Sequence, residues 1–125
     1  EHCYICTAWY SMSLKAWRSK QPHDSLATSL PLYLALCTKL IDAAASLIDH
    51  NIVHHDLKCD NVLIAPLDPS STADDLLNQR PEGPPTFDLV LADFGESKIY
   101  GPGDDGYTTR NRGTEYMKSP EMLTV

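Results

Sequence analysis

A chain of 125 residues is long enough for one small domain and too short for two. Hydrophobic residues make up 42%, which suits a chain that packs a core rather than a disordered one. The formal charge of −7 argues against a binder of nucleic-acid backbone and offers no polybasic patch to an anionic membrane. No apolar run reads as long enough to span a bilayer, and the first ten residues lack the basic and apolar regions of a secretory signal. The absence of an initial Met and the abrupt stop at Val125 suggest a piece cut at both ends from something longer.

Residues 4–10 are rich in aromatic and β-branched side chains and predict a strand running into a connector. Residues 13–20 predict a short helix capped by Ser13. Residues 21–31, with Pro22, Pro31 and several hydroxyl side chains, predict a loop. From Leu32 to His50 the apolar residues Leu32, Leu36, Leu40, Ala44 and Leu47 recur at helical spacing, and the Asn51 that follows tolerates the left-handed backbone of a helix exit. Residues 61–65 predict a short buried strand and 87–95 a second strand ending in Gly95. Between them, residues 66–86 hold five prolines and a Ser-Ser-Thr run, predicting a surface insertion with one helical turn near 74–79. Residues 100–114 form a Gly-rich segment with hydroxyls and two Arg. Of the four Cys, Cys3 and Cys6 have the spacing of half a zinc or redox site, but no second pair follows, and alternation along a strand accounts for them; reduced thiols in an intracellular protein fit best.

The stretch from Ile52 to Asn61, IVHHDLKCDN, crowds two His, two Asp, a Lys and an Asn behind an apolar pair. Asp56 and Asn61 flank a tight loop, and Asp93 follows the next strand. Pairing of those two strands would bring Asn61 and Asp93 together as oxygen donors suited to Mg²⁺ and substrate phosphates. Asp56 could accept a proton from an incoming hydroxyl, and Lys58 could neutralise a transferring phosphoryl group. Phosphoryl transfer needs mainly positioning and charge stabilisation, which these four residues could supply.

Residues 54–61, HHDLKCDN, resemble the protein-kinase catalytic loop H-R-D-L-K-x-x-N; Asp93-Phe94-Gly95 matches the D-F-G motif; and residues 113–121, GTEYMKSPE, resemble the end of a kinase activation segment. All three in order, with a helix before the first and strands between, identify a partial protein-kinase catalytic domain that covers nearly the whole chain. The resemblance implies an α+β, protein-kinase-like fold: residues 1–10 as the last small-lobe strand and hinge, 32–50 as the long helix of a mainly helical large lobe, 52–65 as catalytic loop and strand, and 93–121 as activation segment. It implies ATP, with Thr7 at the gatekeeper position, the backbone of Ala8 and Tyr10 at the adenine edge and Leu63 in the adenine floor. It implies Mg²⁺ held by Asn61 and Asp93, Asp56 orienting or deprotonating the acceptor, Lys58 steadying the γ-phosphate, and His54 packing structurally near Phe94. Lys58 and Thr114 resemble the Ser/Thr class rather than the tyrosine class, so the substrate expected is a protein hydroxyl.

Three departures from the family pattern bear on regulation. His55 stands where the family has Arg, and imidazole is a poorer partner for a phosphate on the activation segment. Activity is therefore expected to depend little on phosphorylation of Tyr107, Thr108 or Thr109. The insertion at 66–86 replaces a short hairpin and reads as a spacer more than a docking site. Ser119 replaces the Ala of A-P-E. A Gly-rich phosphate loop, a strand Lys and its helix Glu are absent from the sequence, so the isolated chain is expected to be inactive and to expose apolar surface on the 32–50 helix and at Met117, Met122 and Leu123. The rival readings are a pseudokinase scaffold, a small-molecule kinase, or an inactive remnant. No nucleic acid and no membrane segment are expected, the location is taken as cytoplasmic from the lack of targeting signals, and the oligomeric state is left open.

Overall fold

Ser13, in extended backbone, turns its hydroxyl onto the Ala16 N–H at 3.2 Å and so starts α1 (Leu14–Lys20), as its sequence predicts. Arg18 and Lys20 occupy the last turn, where the helix dipole favours cations. The computed structural model describes residues 4, 6–10, 12–21, 26–68, 70–72, 75, 86–104 and 112–123.

The long helix α2 (Leu26–Asp49) begins six residues before the predicted start, so part of the expected 21–31 loop is helical. Pro31 misled the reading, since Pro usually marks a break. Inside the helix it removes the bond to the carbonyl four residues earlier and crowds that carbonyl, while Leu32 and Leu36 just beyond it are buried and hold the helix on the core. At the far end, Asn51 takes the left-handed backbone with φ 56°.

β1 (Ile52–Val53), β2 (Val62–Pro66), β3 (Phe87–Leu91) and β4 (Lys98–Ile99) form two nested antiparallel pairs. β2 pairs β3 with Val62 opposite Leu91 and Pro66 opposite Phe87. β1 pairs β4 with Ile52 opposite Ile99, and the Tyr100 N–H extends that ladder to the Asn51 carbonyl at 2.9 Å. The nesting stacks the 54–61 turn against the 92–97 turn. At the other end of the hairpin, the Leu67 N–H reaches the Thr86 carbonyl at 2.9 Å and closes the neck of the 66–86 insertion. Of the helical turn expected near 74–79, Asp75 alone is described, and its N–H bonds to the Thr72 carbonyl at 3.0 Å. Pro120–Leu123 form a last short helix, α3.

Period-two alternation gives the hairpin two faces. Val62, Ile64, Phe87 and Leu89 point into a core completed by Met12, Trp17, Leu32 and Leu36. Trp17 meets Tyr33 edge-on, with ring centroids 5.8 Å apart. Leu63 and its partner Val90 face the other way, toward a cleft. The Ile64 N–H bonds to the Met12 carbonyl at 3.0 Å and ties the segment before α1 to the hairpin.

Two expectations are corrected. Residues 4 and 6–10 are not in a strand: no described strand pairs with them, and a strand is held by its neighbour. The statement that no apolar run could span a bilayer also fails by length and composition, because Leu30–Asp49 gives 20 helical residues with a mean hydropathy of 1.4. Its contacts are those of a helix packed on a sheet: Leu32 and Leu36 are buried, and Lys39 pairs with Asp88 at 3.2 Å. Leu34, Ile41 and Ile48 remain exposed on its outer face, as do Met117 and Leu123, in line with the apolar surface the sequence predicts; Met122 is half-buried. The architecture is a small α+β unit with short antiparallel sheets.

Candidate active site

The two stacked turns carry the four residues to which the sequence assigns chemistry, Asp56, Lys58, Asn61 and Asp93. After β1 the chain bends sharply at His55, with φ 63°, and then exposes the loop that ends in the 3₁₀ turn Cys59–Asn61. After β3 it bends again at Asp93, with φ 61°, into the 3₁₀ turn Phe94–Glu96. Left-handed backbone at two non-glycine residues costs on the order of 1 kcal/mol each and persists only where the surroundings enforce it. His54 is part of that enforcement. It is buried, its Nδ1 accepts from the Asp56 N–H at 3.3 Å, and its Nε2 then carries the hydrogen donated to the Ala92 carbonyl at 2.9 Å. Its ring packs on Phe94 with centroids 4.8 Å apart.

Asp56 is buried with both carboxylate oxygens engaged. Oδ1 accepts from the Thr114 N–H at 2.9 Å and from the Thr114 hydroxyl at 2.5 Å. Oδ2 accepts from Lys58 Nζ at 2.9 Å and from Asn61 Nδ2 at 3.2 Å. Lys58 also donates to the Thr114 hydroxyl at 2.6 Å, closing a triangle. The bond to Lys58, then those to Thr114, hold the Asp56 carboxyl at about 2 against its ordinary 3.8. The same contact raises Lys58 above its ordinary value. Asn61 donates a second bond to the Asp56 carbonyl at 2.9 Å, which commits its nitrogen and leaves its oxygen as the acceptor end.

A cleft of about 700 Å³ runs beside this network. Thr7, Ala8 and Tyr10 line one side; Leu63, Val90 and Leu91 form the floor; residues 92–95, including Asp93, close the end. A Cβ at Gly95 would lie 3.3 Å from Asp93 Oδ1, so the glycine leaves the carboxylate room. The structure thus brings together Asp56, Lys58, Asn61 and Thr114 as one polar network, and Ala8, Tyr10, Leu63 and Asp93 as one cleft. The Ala92 N–H bonds to the Asn61 carbonyl at 2.9 Å and joins the two groups. Tyr107, Thr108 and Thr109 lie outside the described residues.

The donor chemistry fits a hard cation: an Asn61 amide oxygen and an Asp93 carboxylate are the ligand types that Mg²⁺ takes. Among the described residues no three His, Cys, Asp or Glu side chains gather into an all-protein metal site, so a cation here would draw its remaining ligands from phosphate and water.

The sequence reading missed two contributors. Gly113 has φ 79°, and a Cβ there would fall 2.1 Å from the His55 carbonyl oxygen. Its place in the GTEY motif was a signal; the close backbone approach was not readable. Arg112 donates to the Glu96 carbonyl at 2.6 Å, and nothing in the sequence marked it. His55 is held below its ordinary value, first by burial and then by the Arg112 charge.

No protein-family model matches the chain. The chain is 47% identical over all 125 residues to a probable serine/threonine-protein kinase of Dictyostelium discoideum. It spans about 5% of the length of that relative.

Proposed function

We propose that this chain is part of the catalytic domain of a serine/threonine protein kinase and adopts the corresponding part of a kinase fold. The activity proposed is ATP-dependent phosphoryl transfer to Ser or Thr hydroxyls of protein substrates, in the cytoplasm. The observation that carries the reading is the triangle of Asp56, Lys58 and Thr114, drawn from segments 58 residues apart in sequence. The name of the Dictyostelium relative supports the same class.

In this reading the adenine would lie in the cleft lined by Ala8, Tyr10 and Leu63, and Asn61 and Asp93 would hold Mg²⁺. A bound Mg²⁺ would supply neutralisation of the phosphate charge. Asp56 acts as an orienting acceptor for the substrate hydroxyl rather than as a strong base. A carboxyl held at about 2 takes a proton only once the hydroxyl has lost most of its hold on it. Lys58, 2.9 Å from Asp56 Oδ2, would screen the repulsion between that carboxylate and incoming phosphoryl oxygens. A scaffold without catalysis has no use for Asp56, Lys58, Asn61 and Asp93 together.

The test is acceptor competition in the intact protein, with labelled γ-phosphate and Mg²⁺. Label is expected on Ser and Thr of protein substrates, with little on small alcohols or sugars, and Lys58→Ala should lower the rate by roughly 10²-fold or more. Preferential labelling of small alcohols, or nucleotide binding with no transfer at all, would refute the reading.

A further inference from the structure

The segment that begins at Asp93 returns to the 54–61 loop at residues 112–114, and each of these three residues makes a different contact. Arg112 reaches back 16 residues: its Nη1 donates to the Glu96 carbonyl at 2.6 Å and lies 4.0 Å from the Glu96 carboxylate. Only 15% of the Arg112 side chain is exposed, so salt screens this pairing weakly. Gly113 passes over the His55 carbonyl so closely that no side chain fits. Thr114 delivers its N–H and hydroxyl to Asp56. His55 adds no fixed cation here; its ring nitrogen lies 3.4 Å from the Tyr100 hydroxyl, and burial disfavours its charged form.

We propose that Arg112 is a positioning residue that fastens the returning segment to Glu96, so that Gly113 and Thr114 dock on His55 and Asp56 without a phosphate group. A charge-assisted bond from a planar guanidinium to a backbone carbonyl fixes direction as well as distance. The Glu96 turn is itself anchored, because the Ser97 N–H bonds to the Phe94 carbonyl and Phe94 packs on His54. The tether therefore joins the two ends of one segment through the same turns that present Asp93 and Asp56. Only its catalytic consequence rests on the kinase reading.

The test compares wild type with Arg112→Gln and Arg112→Lys by amide hydrogen exchange, by NMR titration of the His55 imidazole, and by phosphotransfer. In Arg112→Gln the Thr114 amide should exchange roughly tenfold faster or more, while β2–β3 amides keep their protection. His55, which faces Arg112, Glu96, His54 and Lys98, should titrate at a higher pH once a neighbouring cation is gone. Phosphotransfer should lose about ten- to a hundredfold in kcat with little change in KM for ATP. Arg112→Lys keeps the charge but not the fork, and should fall between the two in Thr114 exchange. Thr114 exchange in either variant equal to wild type would overturn the proposal. If wild type transfers no phosphate, the kinase reading falls, while exchange and titration still decide the tether.

Discussion

In the β2–β3 hairpin the buried side chains are Val62, Ile64, Phe87 and Leu89, packed on Trp17, Leu32 and Leu36. In the turns at its end the buried side chains are His54, Asp56 and Asn61. The first region is held by apolar burial, which is non-directional and tolerates small shifts. The second is held by hydrogen bonds that fix angles, at the cost of left-handed backbone at His55 and Asp93. The hairpin register carries that precision outward: Val62 opposite Leu91 places Asn61 beside Ala92, and hence the 54–61 loop beside Asp93. Stability and geometry are thus supplied by different residues a few positions apart.

That division can be broken from either side. Phe87→Ala removes the largest buried side chain of the hairpin and should destabilise the protein by about 3–5 kcal/mol, read from denaturant unfolding, with site geometry lost only as the fold is lost. Gly113→Ala should cost about 2–3 kcal/mol, and should disturb Thr114 and Asp56 amide signals before those of β2–β3. If both variants perturbed the same amides equally, the two regions would be one unit and the division would be wrong.

Smaller changes sharpen the contrast. The Asp56 carboxyl, at about 2 when folded and 3.8 ordinarily, binds a proton more readily in the unfolded chain. Its contribution to stability is therefore full above about pH 4 and is lost as pH falls toward 2. Asp56→Asn should flatten the acid side of the stability profile within that window and leave the rest of the curve parallel to wild type. Ser13→Ala should cost about 1 kcal/mol by removing the α1 cap. Lys15→Ala, which breaks an exposed pair with Asp60 at 2.8 Å, should leave the unfolding midpoint essentially where it is in wild type.

The parts of the molecule that were legible in the sequence are those written locally. The Ser13 cap, the Leu32–Leu36 spacing, the Asn51 exit and the short apolar strands at 61–65 and 87–95 each depend on neighbours within a turn or a strand. The polar residues of 54–61 were recognisable because few structural needs explain them together. The start of α2 was hidden by Pro31, which usually marks a break but here lies inside the helix. Residues 4–10 have the composition of a strand but no described strand beside them, and pairing is not a property of one segment. The Arg112 contact was unreadable because it ends on a backbone carbonyl, which every residue offers.

The most direct measurement is transfer of labelled γ-phosphate from ATP to protein Ser and Thr by the intact protein, wild type against Asp56→Asn, with unfolding of both followed in parallel. The account predicts labelling by wild type and a loss of about 10²–10⁴-fold in Asp56→Asn, with the variant still folded at neutral pH. Equal labelling by the two folded proteins would contradict it, because the Asp56 network would then carry no chemistry.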